Sequence, residues 1–140
     1  MNKFANYIKH LLRHYPISSF YLLIVWVLSL APFFPETGLE DVPFIDKWTH
    51  LVMYGGTGIT IWIEYLRRHP VIVWSKVILL AVIAPILMSG LLELLQAYCT
   101  FGHRSGEWLD FAANTLGVVL AAIVGIIIAR SPGLRKRLHC

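Results

Sequence analysis

Apolar runs of membrane-span length alternate with short charged breaks along this chain. Residues 2–15 place Phe4, Tyr7, Ile8, Leu11, Leu12 and Tyr15 at helical spacing, with Lys3, Lys9, His10, Arg13 and His14 on the other face. The pattern predicts an amphipathic helix lying in a headgroup layer and interrupted at Pro16. A charged flank that merely orients the first span is the simpler alternative. Four apolar segments follow, at about 18–34, 47–66, 71–98 and 107–129. The first resembles a signal peptide, with Ser29-Leu30-Ala31 as a cleavage site, but Pro32 directly after it disfavours processing, so the segment reads as a retained helix. Pro32 and Pro35 mark its exit, and an acidic loop with Glu36, Glu40, Asp41 and Asp46 leads to the second.

Small residues mark where these helices approach closely. The second segment contains Gly55, Gly56, Thr57, Gly58 and Thr60, and the fourth repeats Gly117, Ala121 and Gly125 at four-residue steps, with Asn114 extending the same face. Such seams let backbones come together in lipid. The third segment has 28 residues, about 42 Å of helix against a hydrocarbon core of about 30 Å, so it must tilt, kink or project. Pro85 predicts the kink.

Composition agrees with this reading. Of 140 residues 57% are hydrophobic and 14% charged, and the mean hydropathy is +0.66; soluble domains carry about 25% charged residues. The expected fold is all-α: a single-domain, integral membrane four-helix bundle spanning residues 1–140, with the N-terminal interfacial helix beside it. The net charge of +4 does not point to nucleic acid, because the basic residues lie in the breaks and no nucleic-acid module is present. Anionic lipid headgroups are the simpler partner. Lys3, Lys9, Arg13, Arg67, Arg68, Lys76, Arg130, Arg135, Lys136 and Arg137 fall on one side of the spans, and only Lys47 and Arg104 on the other. Short loops rich in Lys and Arg stay cytoplasmic, so both termini are expected inside, in the bacterial cytoplasmic (inner) membrane. Cys99 is then outside and Cys140 inside, too far apart to pair within one chain.

Polar groups interrupt the apolar segments at one end. Asp46, Lys47, His50 and Tyr54, then Glu93 and Gln96, then Arg104, Asp110 and Asn114 all fall at the outer ends of the second, third and fourth segments. Spacings of three or four align them within each helix, so three stripes converge within about 12 Å of the outer interface. Ionisable groups are expensive in hydrocarbon and usually face a bundle interior or a ligand. Trp48, Tyr54 and Trp108 read as an outer aromatic belt, and Trp62, Tyr65 and Trp74 as an inner one. Glu64 reads as a partner for Arg67 or Arg68.

Asp46-Lys47-x-x-His50-x-x-x-Tyr54, Glu93-x-x-Gln96, Arg104, Asp110, Asn114 and Gly117, taken in order, resemble the VanZ-like family of bacterial membrane proteins. The resemblance covers about residues 40–125. Ala97–His103 departs from the family pattern in having Cys99 and no proline before the glycine. Membership implies a cell-envelope protein, with a contribution to resistance against glycopeptide antibiotics such as teicoplanin, and supplies no reaction.

Three readings of the polar cluster remain open. The first is a binding site for a polar headgroup, a lipid-linked cell-wall precursor or a glycopeptide, with Lys47, His50 and Arg104 meeting anionic parts and Glu93, Gln96 and Asn114 taking hydroxyls and amides. The second is an enzyme acting on such a lipid, with His50, Glu93 and Asp110 as candidate catalytic groups; Ser89 and Ser105 lack a recognisable nucleophile context. No histidine pair has metal-ligand spacing, so no metal or cofactor is expected, although His50, Glu93, Asp110 and His103 are ligand types. The third is a structural network joining the helices. A transporter is weaker, since there is no inverted repeat and no second polar cluster in the inner half.

Overall fold

The computed structural model describes residues 2–31, 38, 41–99 and 107–140, and among them every regular element is helical. In chain order these are α1 (Lys3–His14), α2 (Pro16–Leu30), α3 (Ile45–Arg68), α4 (Trp74–Cys99), α5 (Trp108–Arg130) and α6 (Pro132–Leu138). Two of them, α4 and α5, are long and apolar enough to cross a membrane, which places the chain among membrane proteins. The pair α1 and α2, bent by 106° at Tyr15, would make a third span if counted as one. The second expected span, α3, is long enough at 24 residues, but Asp46, Lys47, His50, Glu64 and its glycines leave it less apolar.

Position in the fold explains that deficit. α2, α4 and α5 all pack on α3, and the α3–α5 contact is the most extensive. The least apolar long helix is therefore the central one, and its buried polar side chains His50, Thr57 and Glu64 face other helices rather than the surroundings. The glycine seam is what permits the approach. A Cβ on Gly117 would overlap the Leu51 carbonyl oxygen and lie 2.8 Å from the Gly55 amide nitrogen, and one on Gly125 would overlap the Trp62 ring. On the α3 side, a Cβ on Gly58 would come within 2.6 Å of Ala121.

Aromatic side chains fill the space around this seam. Tyr54, Trp62 and Tyr65 are each no more than 1% exposed. This corrects the expected aromatic belt at those three positions: they sit on the inward face of α3, packed against α4 and α5. Trp48, Trp74 and Trp108 are exposed, as belt residues would be. The Tyr65 hydroxyl donates to the Val73 carbonyl (3.3 Å) and accepts from its amide (3.1 Å), fixing the linker from α3 to α4.

Two buried polar side chains hold α2 by its ends. Pro16 opens the helix, a position where its missing N–H costs nothing. The next two amides, of Ile17 and Ser18, donate to the two oxygens of Glu64 at 3.0 and 2.8 Å. Glu64 thus satisfies two of the unpaired donors that every helix start presents, and its charge complements the positive end of the dipole. At the other end Gln96 Nε2 donates to the Ser29 carbonyl at 2.7 Å, one of the last-turn acceptors. Glu64 is therefore an end cap for α2, and the expected pairing with Arg67 or Arg68 is replaced by it.

Pro85 leaves α4 as one helix of 26 residues. The irregularity beside the proline, where a kink is expected, is a π turn over Leu79–Ile83, immediately before Ala84 and Pro85. A proline ring crowds the carbonyl four residues earlier, and a widened turn there relieves it. The basic tail forms α6, which returns to the α3–α4 linker: Arg135 Nη2 donates to the Pro70 carbonyl at 2.7 Å.

Candidate functional site

The N-terminal ends of α3 and α5 and the C-terminal end of α4 bring five of the expected side chains into one cluster. Lys47, in the first turn of α3, places its ammonium 2.5 Å from Asp46, 2.7 Å from Glu107 and 2.7 Å from Asp110 Oδ1. The first two are hydrogen bonds. The third is an ion pair with the most deeply buried of the three carboxylates. One turn along α3, His50 turns Nε2 towards Asp110 Oδ2 at 3.7 Å and Nδ1 towards Asn114 Oδ1 at 3.0 Å. Asn114 Nδ2 donates to Glu93 Oε1 at 3.2 Å, and the Glu107 amide donates to Glu93 Oε2 at 3.3 Å.

These contacts fix the chemistry of the imidazole. Glu93 needs a donor, so the Asn114 amide must present its NH2 group to α4 and its oxygen to His50. An oxygen acceptor at Nδ1 requires a proton on Nδ1, and Nε2 faces the Asp110 carboxylate. Asn114 is 1% exposed, His50 6%, Asp110 6% and Glu93 9%, so the group is shielded yet lies at the helix ends. Asn114 and Asp110 occupy one stripe of α5 at four-residue spacing, and His50 and Lys47 one stripe of α3 at three.

The remaining expected residues are placed differently. Asp46 is at the rim, its side chain 53% exposed, and touches the cluster through Lys47. Tyr54 lies one turn deeper than His50, in a buried group with Val25, Leu92 and Val118. Gln96 is buried but turned to α2. Arg104 falls outside the described residues, as do His103 and Ser105. Ser89 is fully buried between helices. Sequence reading missed Glu107, which joins the cluster through both its carboxylate and its backbone amide. The available signal was its place three residues before Asp110, on the same stripe at the start of α5.

Among the described residues four acids (Asp46, Glu93, Glu107 and Asp110) face one lysine. Lys47 is already surrounded by three of them, so a phosphate would have to displace a carboxylate to reach it. The cluster as it stands is suited to hydroxyl, amide and ammonium groups, or to a cation. Comparison of the chain with protein-family models, curated proteins and solved structures finds no match.

Proposed function

We propose that the chain is a VanZ-like, multi-pass protein of the bacterial cytoplasmic membrane, a four-helix bundle with both termini inside and α1 lying in the inner interface. Its cluster at the outer ends of α3, α4 and α5 binds the polar part of an envelope molecule: a lipid-linked cell-wall precursor or a glycopeptide. In this role it contributes to glycopeptide resistance. The observation that carries the reading is the group Lys47, Asp110, His50, Asn114 and Glu93, drawn from three helices to one depth, with successive contacts of 2.7, 3.7, 3.0 and 3.2 Å. Interhelical hydrogen bonds in membranes average only about 0.6 kcal/mol, so packing alone gives little reason to bury two carboxylates and an imidazole together. Both candidate ligands offer the hydroxyls, amides and ammonium groups that such an acidic cluster favours.

A second reading, an enzyme acting on the same headgroup, is favoured by one contact: His50 beside the Asp110 carboxylate is the kind of imidazole–carboxylate pair that general acid–base chemistry uses. No hydroxyl or thiol side chain is among the described members of the cluster, so water would have to serve.

The binding test uses protein in nanodiscs titrated with a polyprenyl-linked muropeptide, with teicoplanin, and with phosphatidylglycerol as an anionic control. Saturable binding of either envelope ligand, weakened at least tenfold in Glu93→Gln, is the expected result. Equal affinity for phosphatidylglycerol, or no change in the variant, would contradict it. The topology has its own test, because Cys99 and Cys140 are both free and exposed. An impermeant thiol reagent on intact cells should label Cys99 and spare Cys140.

A further inference from the structure

We propose that His50, Glu93 and Asp110 form a three-ligand site for a divalent transition-metal ion. One atom from each, an imidazole nitrogen and two carboxylate oxygens, can be chosen so that all lie within 4.8 Å of one another. Zinc-class ions hold nitrogen and oxygen ligands at about 2.0–2.2 Å, which sets neighbouring donors roughly 3–4 Å apart. His50 Nε2 and Asp110 Oδ2, at 3.7 Å, are too far apart for a hydrogen bond and at a fitting separation for two ligands of one ion. Closing a pair at the full 4.8 Å to that separation requires movement of roughly 0.8–1.8 Å.

The outer partners of each ligand strengthen the case. Metal-binding histidines typically donate their other ring N–H to an oxygen, which fixes the tautomer and aims the ligating nitrogen. Asn114 does this for His50, and the same amide group orients Glu93. The Glu107 amide restrains the second oxygen of Glu93. Lys47 restrains Asp110 through Oδ1, leaving Oδ2 towards His50. Asp110 is itself nine-tenths buried, with Oδ1 2.7 Å from the Lys47 ammonium and Oδ2 3.7 Å from His50 Nε2. A buried carboxylate shared with only one lysine is a favourable place for a further positive charge. The neighbouring acidic group of Asp46, Glu107 and Asp110 is also close enough to hold an ion, but the Lys47 ammonium already occupies its centre.

One imidazole and two carboxylates, with no sulfur, suit Zn²⁺, Mn²⁺ or Fe²⁺ better than Cu⁺, and three protein ligands leave coordination positions open. The proposal does not depend on the headgroup reading: an ion can be held with no envelope ligand present.

The test uses the full chain in detergent, purified without a histidine tag and carrying Cys99→Ser and Cys140→Ser, which removes sulfur ligands. It is stripped of metal and titrated with Zn²⁺ alone, then with Co²⁺ as a spectroscopic probe. One ion per chain is expected, with a cobalt spectrum of four or five nitrogen and oxygen ligands. His50→Ala should weaken binding at least tenfold, while Asp46→Asn should retain it. His50→Cys should retain an ion and acquire a thiolate-to-cobalt charge-transfer band. No saturable site, or binding that survives His50→Ala, would overturn the proposal, as would binding lost in Asp46→Asn alone. Should the His50 variants not insert, X-ray absorption at the zinc edge of the otherwise unaltered protein decides. One imidazole with two or more oxygens supports the site, and two or more imidazoles refute it.

Discussion

Asn114 and Glu93 are joined by a hydrogen bond of 3.2 Å from the Asn114 amide to the Glu93 carboxylate, the only side-chain-to-side-chain hydrogen bond between α4 and α5 among the described residues. The same Asn114 accepts from His50 of α3, so one side chain ties three helices at one depth. Three residues further along α5, Gly117 admits the α3 backbone. The site and the tightest helix contact are thus built on one face of α5.

Gly117→Ala is expected to be strongly destabilising. The added methyl would overlap the Leu51 carbonyl, a backbone group that cannot move aside as a side chain can. Overpacking of this kind costs about 1–3 kcal/mol. Gly90→Ala is the control: its Cβ would meet Phe111 at 3.5 Å, an ordinary contact. Thermal unfolding in detergent should drop clearly for Gly117→Ala and stay level or rise for Gly90→Ala.

Glu64→Gln tests the anchoring of α2. A glutamine keeps one acceptor oxygen but turns an NH2 group on the second amide, so one of the two bonds to Ile17 and Ser18 is lost. Leaving a buried backbone donor unpaired costs about 1–3 kcal/mol. Arg67→Ala and Arg68→Ala, both exposed, should change stability much less. Equal effects from all three would mean that Glu64 acts through those arginines after all.

Lys47→Met removes the positive partner of a buried Asp110, while the rim acids Asp46 and Glu107 stay in contact with water. Breaking a buried pair from one side costs about 3–5 kcal/mol, and exposed pairs contribute about 0–1 kcal/mol. Lys47 is 18% exposed on its side chain, so the lower part of the first range is expected. Asp46→Asn should be near neutral. Adding Asp110→Asn to Lys47→Met should restore much of the lost stability, and a double-mutant cycle in detergent measures it.

Much of this arrangement was legible in the sequence because it follows from spacing on single helices. Asp110, Asn114 and Gly117 share a stripe, His50 and Lys47 another, and polar groups in apolar segments announce that they face inward. Other features depend on contacts that spacing does not encode. Glu64 finds its partners 46 and 47 residues away, at the start of α2. Arginines three and four residues along the same helix offered a nearer but unused alternative. Gln96 has the stripe position of a site residue, yet its amide turns to the Ser29 carbonyl because the end of α2 lies against that face. Tyr54, Trp62 and Tyr65 lie near span ends, where aromatic side chains look alike whether they meet lipid or protein. Burial decides between the two, and it depends on which helices surround α3.

The central claim is that the Glu93–Asn114–His50 group acts on a ligand and does more than join helices. Glu93→Gln and His50→Asn keep size and hydrogen-bonding capacity while removing a carboxylate and an imidazole. The measurement is the glycopeptide sensitivity of cells expressing each variant, paired with membrane abundance and thermal stability of the same protein. Both variants are expected to insert at normal abundance and to lose the resistance phenotype. An unaltered phenotype, or a loss that merely tracks the loss of folded protein, would contradict the claim and leave the cluster as a structural network.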